Sequence, residues 1–333
     1  MDKFSNAVSI IRKKSNSDSA LGSAFEQLSK VYLQNDATQI QQYSKVWTYS
    51  EWAKDREGYS NKDIGIDLVA KLRDQNSYCA IQCKCYQSDH SISKSDLDSF
   101  ISAASTSDFS RLMLIDTSSE SIGRNAQVVL DNLNKEYIRI QSSELEESRI
   151  DWMTYINDGD VRLHPKKIIR DHQSKALRAV KEGLSKEDRG KMIMACGTGK
   201  TFTSLRIAEE IAGVGKTVLY MVPSLSLMSQ TVREWKNDAD NDFTAFSACS
   251  DKKVGKRKSN DDYIEVNLND LAFPATTDPR TLSEQIKSSD KSKMTVVFST
   301  YHSIHVISDS QHKYDFPEFD LIICDEAHRN TGA

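Results

Sequence analysis

The segment A-C-G-T-G-K-T at Ala195–Thr201, followed far downstream by D-E-A-H at Asp325–His328, constrains this chain more than any other feature. Small residues in a loop let backbone N–H groups approach an anion, and a helix N-terminus aims its dipole at the same charge. Gly197 and Gly199, with Thr198 between them, supply that approach. Lys200 would reach the β- and γ-phosphates of a nucleotide, and the Thr201 hydroxyl would ligate Mg²⁺. The strict pattern has glycine where Met194 stands, but K-M-I-M-A before the loop and an amphipathic run after it give the strand–loop–helix context it requires. F-D-L-I-I-C reads as an apolar strand that delivers Asp325 and Glu326 to its C-terminal end, where ligands bind in open α/β sheets. There Asp325 would hold Mg²⁺ through water, Glu326 would orient and deprotonate an attacking water, and His328 would couple the site to a second lobe. The pair predicts one half of an ATP-hydrolysing motor. The sequence ends five residues after His328, so a fragment of a longer protein is expected.

Around these motifs, strands are expected at about 191–195, 217–222, 243–248, 294–299 and 320–324, alternating with helices at 171–183, 200–213 and 225–236. That alternation implies a mostly parallel sheet. The polar stretch 250–292 reads as an inserted loop, and its G-K-R-K at 255–258 fits either a DNA contact or a solvated surface. Upstream, Leu21, Phe25, Leu28, Val31 and Tyr32 have helical spacing. I-G-I-D-L-V-A-K-L and Y-C-A-I-Q-C-K-C-Y flank D-Q-N-S as a hairpin. A helix at 94–106, a strand at 112–116, a helix at about 121–135 and a strand at 137–140 complete a first α/β unit. Residues 146–168 read as a linker with a short helix.

Composition narrows the partners. A net charge of −4 gives no bulk attraction to nucleic acid, so any DNA site must be a local basic surface. No apolar run approaches the ~18 residues of a membrane helix, and the N-terminus lacks a secretory pattern; a cytoplasmic location without membrane contact is expected. The six cysteines contain no Cys-x-x-Cys pair, which favours reduced structural thiols over zinc ligands.

A second constellation lies in the first unit. Phosphodiester cleavage needs a metal held by oxygen ligands and a cation near the attacking water. Asp67 sits on one strand of the expected hairpin. Gln82 and Lys84, two apart on the other, share a face. Asp67 and Gln82 would bind one Mg²⁺ with help from the Cys83 backbone carbonyl, Glu26 on the preceding helix would add a carboxylate, and Lys84 would lower the pKa of the water or stabilise developing charge. Trp47, Tyr49, Trp52 and Tyr59 could stack on bases or form a local cluster over the sheet.

These motifs carry resemblances. Residues 168–333 resemble a superfamily 2 helicase or translocase. On that likeness Gln173, in R-D-H-Q, is the adenine contact, while V-P-S-L-S-L-M-S-Q-T (222–231) and V-F-S-T-Y-H-S (297–303) touch the nucleic-acid strand. The second RecA-like lobe and its arginine finger are not among these residues, so weak ATP binding and poor hydrolysis are expected of this stretch alone. Gly65-Ile66-Asp67 and Gln82-Cys83-Lys84 resemble the Mrr-like branch of the PD-(D/E)xK nucleases, across about 18–145. The segment from Trp47 to Ala70, and D-E-A-H-R-N-T-G-A, look like type ISP restriction-modification enzymes. The likeness implies an α/β chain with a nuclease domain at 1–145, a linker at 146–168 and a first RecA-like lobe at 169–333. It implies an endonuclease coupled to an ATP-dependent translocase on double-stranded DNA, in bacterial restriction, with methyltransferase and target-recognition parts elsewhere in the polypeptide. Two alternatives stay open: a helicase–nuclease without a methyltransferase, and a DNA-binding module that does not cut.

Overall fold

A computed structural model describes residues 4–54, 56–59, 64–73, 75–249 and 275–327. The chain divides into two units, Met1–Pro165 and Lys166–Ala333. No described helix is long and apolar enough to cross a membrane.

The first unit opens with α1 (Phe4–Lys14), whose Phe4, Ala7, Val8 and Ile11 are buried at spacings of three and four. Three basic residues in its last turn suit the helix dipole. In α2 (Asp18–Asn35) the Ser17 side chain caps the helix by accepting from the Ala20 N–H, and Phe25, Leu28, Val31 and Tyr32 face inward. Next come α3 (Gln39–Gln42), β1 (Tyr43–Thr48) and α4 (Tyr49–Ala53), the last opened by a Thr48–Glu51 capping box. β2 (Leu68–Leu72) and β3 (Tyr78–Lys84) form the expected antiparallel hairpin. α5 (Lys94–Ala103), β4 (Phe109–Asp116), α6 (Arg124–Asp131) and β5 (Glu136–Gln141) complete a five-stranded sheet in the order β1-β2-β3-β4-β5. Its β3–β4 and β4–β5 pairs are parallel. Residues of the expected linker supply α7 (Ser142–Glu147, which begins before it) and α8 (Trp152–Asp158). Trp152 is buried with its ring 4.9 Å from that of Phe4, so this segment packs onto α1.

Of the two readings of the aromatic segment, the local cluster is what forms. Trp52 is buried, edge-on to Tyr59 and Tyr78 at 4.6 and 5.4 Å. The Arg56 guanidinium lies 4.6 Å from the Trp52 ring and 4.7 Å from that of Tyr78.

The second unit runs through α9 (Asp171–Leu184), α10 (Lys200–Ile211), β6 (Thr217–Val222), α11 (Leu225–Asp238), β7 (Phe243–Ala248) and α12 (Pro279–Lys287). It continues through β8 (Met294–Thr300), a 3-10 turn at Tyr301–Ser303, α13 (Ile304–Tyr314) and β9 (Leu321–Cys324). The strands make a parallel sheet in the order β7-β8-β6-β9. β8 is buried at all seven positions, as a strand covered on both faces should be.

Two expectations are corrected here. Residues 191–195 pair with no described strand, and Ile193 is 83% exposed. Their short continuous apolar run suits a strand, but a strand exists only through the ladder a neighbour provides. Within the expected loop 250–292, residues 279–287 form α12. Asp278 caps it by accepting from the Arg280 and Thr281 N–H groups, Pro279 opens the first turn, and Leu282 and Ile286 are buried one turn apart. The G-K-R-K cluster lies outside the described residues.

Candidate active sites

The phosphate loop is shaped by two glycines in the left-handed region, Gly197 at φ 74° and Gly199 at φ 83°. Between them the Thr198 hydroxyl donates to the Ala195 carbonyl at 2.7 Å, closing the turn. Gly199 is the N-cap of α10, so Lys200 and Thr201 occupy the first helical positions, beside the unpaired N–H groups of that helix. Gln173 is buried against this loop. Its Oε1 accepts from the Arg170 N–H at 2.9 Å and its Nε2 donates to the Thr198 carbonyl at 3.0 Å. A Cβ on Gly199 would come within 2.5 Å of that same Nε2. The residue expected to read adenine is therefore engaged at both ends of its amide, as a buttress of the loop.

β9 carries the second motif to the same end of the sheet. Asp325 is tied in by its N–H, which donates to the Met221 carbonyl at 2.9 Å. Its carboxylate is held on both oxygens: Oδ1 accepts from the Glu326 N–H at 2.9 Å, and Oδ2 from the Tyr220 hydroxyl at 3.3 Å. Burial, then the nearby Asp325 charge, push the Tyr220 phenol up, so it stays a donor. Tyr220 also lies 3.4 Å from the Ser204 hydroxyl, which joins α10 to β6 behind the loop. The Trp235 indole on α11 donates to the Thr201 carbonyl at 3.0 Å. Tyr220, Ser204 and Trp235 are absent from the sequence-based site. A tyrosine or tryptophan in an apolar run reads as core, and nothing in the sequence marks Asp325, 105 residues on, as a partner of Tyr220. His328 lies outside the described residues.

In the first unit, Asp67 stands directly before β2, fixed by its own N–H to the Ile81 carbonyl at 2.9 Å and by its carbonyl to the Tyr49 N–H at 2.8 Å. Its Oδ2 accepts from the Cys83 N–H at 2.6 Å, which locks the carboxylate onto β3. Gln82 is 2% exposed; its Nε2 donates to the Gly65 carbonyl at 3.3 Å, and its buried Oε1 has no hydrogen-bond partner. Gly65, at φ 93°, packs so close to α5 that a Cβ would lie 2.9 Å from the Ser99 Oγ and 3.1 Å from the Phe100 nitrogen. Burial chiefly pushes the Cys83 thiol up, with the Asp67 and Glu26 charges adding to it and a bond to Ser29 of α2 opposing it. Strand alternation therefore puts the Cys83 thiol, with Glu26 near it, on the α2 face and Gln82 on the other. Lys84 ends β3, in register with Asp116 of β4.

The structure thus brings Asp67, Gln82 and Cys83 to one corner of the sheet, with Glu26 on the α2 side. Among the described residues no three His, Cys, Asp or Glu side chains group as a metal site. A cation at this corner would rely on amide and carbonyl oxygens beside Asp67. The orphaned, buried Oε1 of Gln82 fits that donor set, which suits a hard cation such as Mg²⁺.

Fold and sites together define a nuclease-type α/β domain followed by a P-loop motor lobe, the order expected from sequence. The chain belongs to the family described as type III restriction enzyme, res subunit, whose model matches residues 166–333; a second model, described as restriction endonuclease, matches 34–161. Over its whole length it is similar to the structure titled ATP-dependent Type ISP restriction-modification enzyme LlaBIII bound to DNA. The TM-score is 0.81 and the identity 34%, covering 100% of this chain and 20% of that one. The probable helicase A859L of African swine fever virus (isolate Pig/Kenya/KEN-50/1950) is 29% identical over 205 residues, covering 60% of this chain and 21% of the relative. Its counterpart in isolate Tick/Malawi/Lil 20-1/1983 is 30% identical over 163 residues, covering 49% and 16%. The chain spans about a fifth of the length of these relatives.

Proposed function

We propose that this chain supplies the nuclease and the first ATP-hydrolysing lobe of an Mg²⁺-dependent restriction enzyme, in which ATP-driven translocation along double-stranded DNA is coupled to cleavage. The observation that carries this reading is the whole-length similarity to the LlaBIII structure, with both motif sets present and in order. In this reading the nuclease core occupies 1–145 and the motor lobe 169–333, in a cytoplasmic enzyme whose six free thiols stay reduced.

In the motor lobe, the Gly197–Gly199 backbone and the N-terminus of α10 would bind the nucleotide phosphates, with Lys200 on the β- and γ-oxygens. Gln173 would hold the loop in shape through these two bonds and meet adenine with the second N–H of its Nε2 and the second lone pair of its Oε1. Thr201 and Asp325 would hold Mg²⁺, and Glu326 would orient the attacking water. In the nuclease, Asp67, the Gln82 amide oxygen and the Cys83 carbonyl would hold Mg²⁺, with Glu26 adding negative charge from α2. That ion would supply a nucleophilic water at neutral pH and a clamp on the scissile phosphate. Lys84, beyond the Gln82 ligand on the same face, would stabilise charge on the attacking or leaving oxygen.

Supercoiled plasmid incubated with the full-length enzyme, Mg²⁺ and ATP tests the nuclease assignment. Cutting should be lost in Asp67→Ala and in Lys84→Ala. If both variants cut as wild type does, or if the wild-type enzyme binds DNA and never cuts it, the first unit is a DNA-gripping module instead.

A further inference from the structure

Tyr301 opens the 3-10 turn after β8, within the 297–303 segment whose sequence resembles a strand-contact element. Its hydroxyl donates to the Asp325 carbonyl at 2.8 Å. That carbonyl belongs to the peptide between the two acidic residues of the second motif. The N–H of the same peptide donates to Asp325 Oδ1 at 2.9 Å. Glu326 follows at φ 50°, a left-handed conformation that a residue with a side chain rarely adopts. Such a conformation persists only where the surroundings over-determine it. Two bonds do so here, and both break if the peptide flips: the carbonyl turns away from Tyr301, and the N–H turns away from the carboxylate. With those bonds lost, φ of Glu326 is free to relax from its left-handed value, and rotation about that N–Cα bond swings the Glu326 side chain relative to Asp325.

We propose that Tyr301 is a positioning residue: it locks the Asp325–Glu326 peptide and so ties the aim of Glu326 to the state of the 297–303 segment. The proposal rests on the motor reading above. It makes strand engagement and water activation neighbours through a single hydrogen bond within the second unit. It also gives the hydroxyl a role that a space-filling ring would not have.

Tyr301→Phe in the full-length enzyme keeps the ring and removes the donor. In nucleotide-free protein, deuterium uptake at the Glu326 amide should speed up about tenfold, because the peptide is no longer pinned. With saturating duplex DNA, kcat for ATP hydrolysis should fall about tenfold, while KM for ATP and Tm stay near wild type. Either readout at its wild-type value overturns the proposal. A parallel loss of ATP affinity and Tm also overturns it, because that pattern marks a packing role. Lys200→Ala run alongside separates the two levels. If Lys200→Ala is inactive and Tyr301→Phe is normal, only the positioning role fails. If Lys200→Ala still hydrolyses ATP, the motor reading fails and takes this inference with it.

Discussion

Gln82 stands where acidic residues are more usual in metal-dependent nucleases, and its buried Oε1 is the atom most diagnostic of the nuclease corner. Leaving a buried acceptor unpaired costs about 1–3 kcal/mol, so a site that keeps one has a use for it. Replacing the amide with a carboxylate sharpens the point. Gln82→Glu should lower the Tm of metal-free protein, because a charge enters a site that is 2% exposed, beside the Asp67 turn. Added Mg²⁺ should then raise Tm by more in the variant than in wild type, since binding to the folded state alone stabilises it. Equal increments in the two proteins would show that position 82 does not face the cation. Gly65 makes a separate prediction. At φ 93° with the α5 backbone 3.1 Å from a built Cβ, Gly65→Ala should destabilise the first unit by about 2 kcal/mol or more, measured by urea unfolding. At this scale spacing and resemblance single out Asp67, Gln82 and Lys84, and the fold brings Asp67 and Gln82 to one corner of the sheet. The sequence hides Tyr220 and Trp235, and the bond that Tyr301 makes to Asp325, because their polar atoms find partners that only the folded chain brings near.

Elements were legible where period and capping agreed. β6, β7 and α11 lie where their patterns put them, because continuous apolar runs and a Ser224 cap leave few other choices. Residues 191–195 form no strand because a short apolar run marks burial and not a pairing partner. α12 is masked by the polar stretch around it, although D-P-R-T-L-S-E-Q-I carries a cap, a first-turn proline and two apolar residues one turn apart. β1 and α4 show in the sequence only as aromatics that could stack on bases or form a local cluster, since short elements carry too few residues for a period to show. One element holds an unexpected charge. Lys236 on α11 is almost fully buried, 3.7 Å from the Phe243 ring centroid, bonded to the Phe243 carbonyl and near Asp242 and Lys293. Burial lowers it to about 7 despite Asp242. Between that value and the ordinary one near 10.5 the unfolded chain binds more protons than the folded one, so stability rises with pH across this window. The cost of burying the charge is complete below pH 7. Lys236→Met should therefore gain on wild type most at pH 6 and least at pH 9, read as the Tm difference between the two proteins. A pH-independent difference would mean that the amine keeps its ordinary pKa.

For the whole molecule, the two proposed chemistries lie on two compact units of one chain, each candidate site at an edge of its own sheet. The proposed enzyme needs both, and they should fail independently. In the full-length protein, with supercoiled DNA, Mg²⁺ and ATP, phosphate release and DNA cutting measured in the same tube provide the direct comparison. Asp67→Ala should release phosphate as wild type does and leave the DNA uncut. Lys200→Ala should lose both, because cutting depends on translocation. Cutting by Asp67→Ala, or DNA-stimulated phosphate release by Lys200→Ala, would contradict the assignment of the nuclease to the first unit and of the motor to the second.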